Sequence, residues 1–169
     1  EVHLVSPESA KLLVLEESIL KESPGVKLVL ASYSDSDESI GEMDMIVTAT
    51  SGAGKKILDI IKVKPGCVIT DVARPLDLPP EEVAKRPDVL VIESGEVYLP
   101  GEVLMKQIGF EDHNVVFACL AETIVLTLEG RFENFTFGRT IEWEKVHDIF
   151  KMGLMNGMRL AAISGVNGV

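Results

Sequence analysis

The sequence predicts an α/β protein built on a doubly wound, mostly parallel sheet, followed by a C-terminal helical extension. Short apolar runs alternate with helix-like segments over the first two-thirds of the 169 residues. These runs are continuously apolar, which is typical of parallel strands covered by helices. The last third shows only helical patterns. We therefore expect an α/β domain over residues 1–112 and a helical segment over 113–169.

The first elements follow from apolar runs and turn residues. Residues 2–5 predict a strand, and Ser6-Pro7-Glu8 predicts a helix start, because serine caps, proline suits the first turn and glutamate suits the positive helix end. Ser23-Pro24-Gly25 ends that helix, and residues 26–31 predict the second strand. The expected buried stripe of the helix is Leu12, Leu13, Leu15, Ile19 and Leu20.

Three further strands are predicted at residues 45–49, 67–71 and 88–93. The acidic stretch 32–42 predicts a surface loop or a short helix. Residues 50–54 predict a turn into a helix that buries Ile57, Leu58 and Ile61.

The last third predicts two helices. Asn114 caps the first, which covers residues 114–128 and ends at Gly130. The second covers residues 142–163, and its Gly153 would let another backbone approach closely, as would Gly157. Its expected buried stripe is Val146, Ile149, Phe150, Leu154, Met158 and Ala161.

Composition excludes several classes of protein. Sixteen Lys and Arg against 27 Asp and Glu give a net charge of −11, which argues against nucleic-acid binding. No run approaches the ~20 apolar residues of a transmembrane helix. The two cysteines lack a C-x-x-C pair and the histidines number three, which argues against a structural zinc site. Without a visible signal peptide, we expect a reduced, cytoplasmic protein.

Polar or glycine residues follow four of the predicted strands. These strand ends are Ser6-Pro7, Thr50-Ser51-Gly52, Asp71 with Arg74, and Glu93-Ser94-Gly95. Ligands of doubly wound sheets bind outside the carboxyl ends of strands, so the four ends fit a cofactor cleft. The same residue types are common in any strand-to-helix turn, so a purely structural role stays open.

The glycine pattern at the start of the chain is unusual for a Rossmann-like fold. Such folds open with a strand, a glycine-rich turn and a helix that holds pyrophosphate. Here the comparable cluster, residues 52–54, follows a later strand. We expect a Rossmann-like sheet that lacks its first strand-turn-helix and forms the C-terminal part of a longer protein. The mean hydropathy of +0.23 supports this, and the edge beside residues 2–5 should then be open or paired.

Cys119, His113 and His147 are the candidate reactive or titratable side chains of the last third. Cys119 lies in an apolar stretch and is either a core residue or a nucleophile activated by a helix N-terminus. His113 precedes that helix, whereas His147 is expected on the surface. Cys67 opens an apolar strand and is expected in the core.

Four segments resemble one enzyme family. Residues 67–75, 91–97, 116–124 and 128–139 are similar, in this order, to the C-terminal half of the aldehyde-forming long-chain acyl-[acyl carrier protein] reductases. The resemblance implies an oxidoreductase that converts an acyl thioester, on acyl carrier protein or coenzyme A, to a fatty aldehyde.

This resemblance also implies a cofactor and site residues. The cofactor would be NADPH, with NADH left open because Ser6-Pro7 stands where an arginine is usual. Cys119 would be the catalytic residue that accepts the acyl group as a thioester. The cofactor-binding residues would be Ser6, Thr50, Ser51 and Gly95.

Glu122 opposes a thiolate at Cys119, so we expect it to point elsewhere or to be neutralised by Arg131 or Arg139. Two other possibilities stay open. Residues 46–51 and 71–75 are also similar to glutamyl-tRNA reductase and shikimate dehydrogenase relatives. A non-catalytic, incomplete Rossmann-like module that serves as a binding or assembly subunit is the third. Whatever the activity, we expect the chain to form a homo-oligomer or to associate with a missing N-terminal part.

Overall fold

The computed structural model describes residues 1–32, 39–51, 57–103, 112, 114–138 and 141–161. The chain divides into two compact units, and the division falls after Glu93. The first unit begins at Glu1, and the second comprises described residues from Ser94 to Ala161. The α/β fold class predicted from the sequence is confirmed, because the sheets of the first unit are parallel. The sequence-based boundary after residue 112 lies inside the second unit.

The first unit opens with a parallel two-stranded sheet. Strand β1 (Val2–Val5) leads into helix α1 (Ser9–Glu22), which returns the chain to strand β2 (Leu28–Ala31). Val2 pairs with Leu28, and this register continues to the ends of both strands. Both strands were predicted, although β2 is two residues shorter than expected. Among the described residues β1 pairs with β2 alone, so β1 is an edge strand.

Helix α1 departs from its predicted start and its predicted buried stripe. The helix follows Glu8, and Ser6 accepts a hydrogen bond from the Glu8 N–H at 3.1 Å instead of capping the helix. Leu12 is buried, whereas Leu13 and Leu15 are exposed. The predicted stripe is therefore only partly buried.

A second parallel sheet carries the core of the first unit. Its order is β3 (Met45–Thr48), β4 (Val68–Asp71), β5 (Leu90–Glu93), and all three strands were predicted to within a few residues. A short helix, α2 (Pro80–Val83), lies between β4 and β5 in the chain. The core contains these buried residues: Ile40, Leu58, Ile60, Val63, Cys67, Ile69, Leu78, Val83, Val89 and Val91.

The prediction that these strands are buried on both faces is only partly correct. Ile69 and Val91 are almost fully buried, but Met45, Val47 and Leu90 are exposed. A continuously apolar run therefore does not guarantee two covered faces, because burial depends on what else packs against the sheet.

The segment after β3 differs from the predicted helix. Residues 52–56 lie outside the described residues. Residues 57–59 are not helical, and Ile60–Lys62 forms a single 3₁₀ turn. Leu58 is buried as expected, but Ile61 is exposed. The predicted acidic loop of residues 32–42 ends in another 3₁₀ turn, Ile40–Glu42, and its middle lies outside the described residues.

The second unit contains antiparallel strands that the sequence did not predict. Strand β6 (Glu96–Tyr98) pairs on one side with β7 (Val115–Phe117) and on the other with β8 (Arg159–Leu160). Helix α3 (Ala118–Leu128) follows β7 directly, and helix α4 (Trp143–Met155) precedes β8. The predicted helical extension is present, but a small sheet accompanies it.

Helix α4 ends well before the predicted residue 163. Gly157 adopts a φ of +79°, a left-handed conformation that favours glycine and ends the helix. The Met158 N–H then donates to the Gly153 carbonyl at 2.9 Å, and the chain enters β8. Of the predicted buried stripe, only Met158 is fully buried, and it lies beyond the helix.

No helix among the described ranges combines the length and apolar character needed to cross a membrane.

Candidate functional site

The second unit holds a cavity of about 480 Å³ beside helices α3 and α4. Most of its lining is aliphatic or aromatic, and three ionisable or nucleophilic side chains join it: Cys119, Glu122 and Arg159. The remaining lining residues are Val97, Ala118, Ala121, Val125, Thr136, Ile141, Val146, Ile149, Phe150, Gly153, Leu154, Met158 and Leu160.

Helix α3 carries one wall of the cavity. Asn114 was predicted to cap this helix, but residues 115–117 pair with β6 and the helix begins at Ala118. The Ala118 N–H donates a hydrogen bond to the Gly95 carbonyl at 2.8 Å. This bond holds the start of the helix beside the start of β6. Cys119 therefore lies in the first turn of the helix. With the predicted start at Asn114 it would have been more than one turn from the helix start.

Cys119 is exposed and lines the cavity. The alternative that it is a core cysteine is therefore wrong. The assignment of Cys119 as a catalytic residue stays a prediction.

Glu122 lies one turn further along α3, and its carboxylate has partners. It accepts a hydrogen bond from the Thr136 N–H at 3.3 Å and another from the Thr136 hydroxyl. The expectation that Arg131 neutralises Glu122 is not met, because Arg131 donates to Glu133 at 2.7 Å and stacks on the Phe135 ring. Arg139 lies outside the described residues.

Arg159 supplies the positive charge among the lining residues. It lies on β8, and its guanidinium carbon is 5.3 Å from the centroid of the Tyr98 ring. No ion pair joins Arg159 to a carboxylate within the described part of the chain. The cavity is thus an apolar chamber with a cation, a carboxylate and a thiol on its wall.

The strand ends of the first unit hold their own polar cluster. Thr50 donates to Asp77 twice, from its N–H at 3.0 Å and from its hydroxyl at 2.6 Å. Asp71 is fully buried and accepts from the N–H groups of Ala73 (3.0 Å) and Leu78 (2.9 Å). Asp77 therefore joins the loop after β4 to the end of β3, and Asp71 fixes the same loop to the end of β4. Sequence reasoning missed Asp77, because no local pattern marks it.

The four proposed cofactor-binding residues are divided between the two units. Thr50 and Ser51 belong to the first unit with Ser6, whereas Gly95 belongs to the second with Cys119. The hydroxyl of Ser6 is hydrogen-bonded to the Glu8 N–H, and Ser51 is exposed. A ligand-binding role for these residues stays a prediction.

The histidines add little to the site. His147 is exposed on α4, and its ring centroid lies 6.2 Å from that of Trp143, which confirms its expected place on the surface. His113 lies outside the described residues. No group of three or more His, Cys, Asp or Glu side chains within the described ranges is arranged to hold a metal ion.

Comparison with known proteins finds a relative of part of the chain. No family model matches the chain. The chain is 36% identical over 129 residues to a protein named aminotransferase PigE from Serratia sp. strain ATCC 39006. The match covers 73% of this chain and 14% of that protein, so the chain spans about a seventh of its relative's length.

This comparison contradicts the predicted activity. The prediction of an oxidoreductase that reduces acyl thioesters to fatty aldehydes is wrong, and so are its NADPH or NADH cofactor and its dehydrogenase alternative, because the relative is named as an aminotransferase. The physical reason is that polar strand ends occur in α/β proteins of many activities and do not identify a ligand. The bonds of Thr50 to Asp77 show how such residues serve the loop itself.

Proposed function

We propose that this chain supplies the binding pocket for the apolar part of a substrate in an amino-group-transferring enzyme. The proposal rests on the cavity in the second unit, because an apolar cavity of about 480 Å³ has the size of a small-molecule site. The similarity to aminotransferase PigE supports the class of reaction. Since the chain spans 14% of that relative, amino transfer is assigned to the whole protein.

The described residues do not fit pyridoxal phosphate, the cofactor that a lysine holds in many enzymes of this chemistry. No lysine of the described ranges lines the cavity. Lys64 is exposed, and its hydrogen bond to Asp44 raises the pKa of Lys64, which is the wrong direction for a nucleophilic amine. Residues 55, 56 and 106 are lysines outside the described residues.

The role of this chain is to bind and orient. Val125, Ile149 and Leu154 remove apolar substrate surface from water, at about 25 cal/mol per Å². Arg159 offers hydrogen bonds to a polar or anionic end of the substrate, and Cys119 contacts the substrate from the first turn of α3.

The free thiols of both cysteines also support a cytoplasmic location.

A matched pair of charge insertions on α4 tests the pocket. Leu154 lines the cavity and is half-exposed, so Leu154→Glu places a carboxylate in the chamber without breaking a buried core. Met155 is 81% exposed and does not line it, so Met155→Glu is the control. We expect Leu154→Glu to weaken binding of the neutral dye N-phenyl-1-naphthylamine at least about tenfold, measured by fluorescence titration. Equal binding by both variants contradicts the proposal.

The reaction class is tested on the native full-length protein. The sample is saturated with pyridoxal phosphate and given an amino donor with a series of apolar carbonyl compounds. Mass spectrometry should detect the amine product, and Leu154→Glu should raise KM more than it lowers kcat. If no amine product forms, amino transfer is contradicted. The dye titration still tests the pocket independently.

A further inference from the structure

Gly153 lies in the last turn of helix α4, and no packing contact requires a glycine there. Glycine stabilises a helix less than alanine does, because its backbone loses more freedom on folding. The sequence suggested that another backbone approaches here. A Cβ built at Gly153 would meet only the Met158 Cβ, at 4.0 Å, which is ordinary van der Waals contact. Close packing therefore does not explain this glycine.

Gly157, one turn further on, shows the contrast. It adopts a φ of +79°, and a Cβ there would lie 3.3 Å from two atoms of Pro100. Backbone conformation and crowding together account for Gly157. Neither reason applies to Gly153, whose φ is ordinary and whose added Cβ has space.

The distinctive property of Gly153 is that it lines the cavity. Ile149 and Phe150, which precede it by four and three residues, lie on the same face of α4 and also line the chamber. A side chain at position 153 would thus enter the space between these residues and the rest of the lining.

We infer that Gly153 is a specificity-determining residue, whose missing side chain sets how much apolar chain the cavity accepts. The inference rests on the proposed function, because it assumes that the cavity binds the apolar part of a substrate. It assigns the substrate an extended apolar chain, since the space kept open at Gly153 lies among apolar side chains. An alanine would stabilise the helix, so retaining the open volume has a cost to stability.

The experiment measures how affinity depends on chain length. Straight-chain alkan-1-ols from hexanol to dodecanol displace N-phenyl-1-naphthylamine from the wild-type chain, Gly153→Ala and Gly153→Leu. Each buried methylene contributes about fourfold in affinity, so affinity rises with length until the cavity is full. We expect Gly153→Leu to stop this rise two methylenes earlier, which weakens the longest alcohols about fifteenfold and leaves hexanol unchanged. Gly153→Ala should show a smaller loss.

Met155→Leu is the control, because Met155 lies on the same helix and outside the lining. Thermal unfolding followed by circular dichroism confirms that each variant is folded, and Gly153→Ala should melt above the wild type. If folded Gly153→Leu shows the same limit of alcohol chain length as the wild type, the inference is overturned, whereas the proposed pocket stands. A wild-type chain that binds no dye overturns both.

Discussion

The two cysteines lie in opposite environments, which makes them a direct probe of the structure. Cys67 is fully buried in the core of the first unit, and burial raises the pKa of its thiol above the ordinary value. Cys119 is exposed in the first turn of α3 and lines the cavity. Their reactivities should therefore differ widely, although both are free thiols.

We expect iodoacetamide at pH 7.5 to alkylate Cys119 at least about a hundredfold faster than Cys67, because only the exposed thiol is accessible and alkylation consumes thiolate. Peptide mass spectrometry of timed samples gives both rates in one experiment. In 6 M guanidinium chloride the two rates should converge. Equal rates in the folded protein would show that Cys67 is not part of a packed core.

At the scale of elements, Arg86 joins the 3₁₀ turn at Ile60–Lys62 to the loop before β5. Its guanidinium donates to the carbonyls of Ile60 (3.0 Å) and Ile61 (2.9 Å) in the 3₁₀ turn. It also donates twice to the carboxylate of Asp88, at 2.8 and 2.7 Å, just before β5. This fork geometry suits arginine and not lysine.

The pair predicts a pH dependence of stability. The hydrogen bond from Arg86 holds the pKa of the Asp88 carboxyl below its ordinary value. A carboxyl whose folded pKa is lowered stabilises the fold above its unfolded pKa and loses that contribution as pH falls through the folded pKa. We expect Asp88→Asn to lower Tm by a few degrees at pH 7 and to match the wild type near pH 2.5, followed by circular dichroism.

The control for this prediction is Asp148→Asn, because Asp148 is an exposed acid on α4. It should change Tm little at either pH. A deficit of Asp88→Asn that stays constant from pH 7 to pH 2.5 would mean that the carboxylate charge contributes nothing and that only the side-chain shape matters.

The strands of the first unit were predictable because their signal is local. Residues 2–5 and 45–48 are short apolar runs between turn residues, and both are strands. The strands of the second unit were not predictable in this way. Strand β6 has three residues and β8 has two, and Val97 pairs with Leu160 across a long stretch of chain. Runs so short carry no periodicity, and their partners are set by tertiary contacts.

The candidate site shows the same limit. The sequence singled out Cys119, and the structure places it on the cavity wall. The cavity itself was not predicted, because it combines side chains from α3, α4, β6, β8 and the loop between the two helices. The apolar residues of α4 were assigned to a buried stripe, whereas Val146 and Phe150 are about half-exposed and line the chamber. Helical periodicity identifies an apolar face but not whether protein or ligand covers it.

At the scale of the whole molecule, a large negative charge coexists with exposed apolar side chains. The net charge is −11. Helix α1 exposes Leu13 (60%) and Val14 (69%), and β1 exposes Val2 and Val5. Exposed apolar side chains favour a contact with another surface, whereas net charge opposes association of identical chains. The balance between the two therefore depends on salt.

We expect this chain to self-associate weakly, and more strongly as salt rises, because salt shortens the range of repulsion from about 30 Å at 0.01 M to about 3 Å at 1 M. Sedimentation velocity at both salt concentrations measures the weight-average mass against the 18.4 kDa monomer. The double variant Leu13→Glu/Val14→Glu should remain monomeric in both. Lys21→Glu, on the same helix, changes the net charge by the same −2 and should still associate at 1 M salt. Association that falls as salt rises, or that Lys21→Glu abolishes equally, would assign the contact to charge and not to the apolar face of α1.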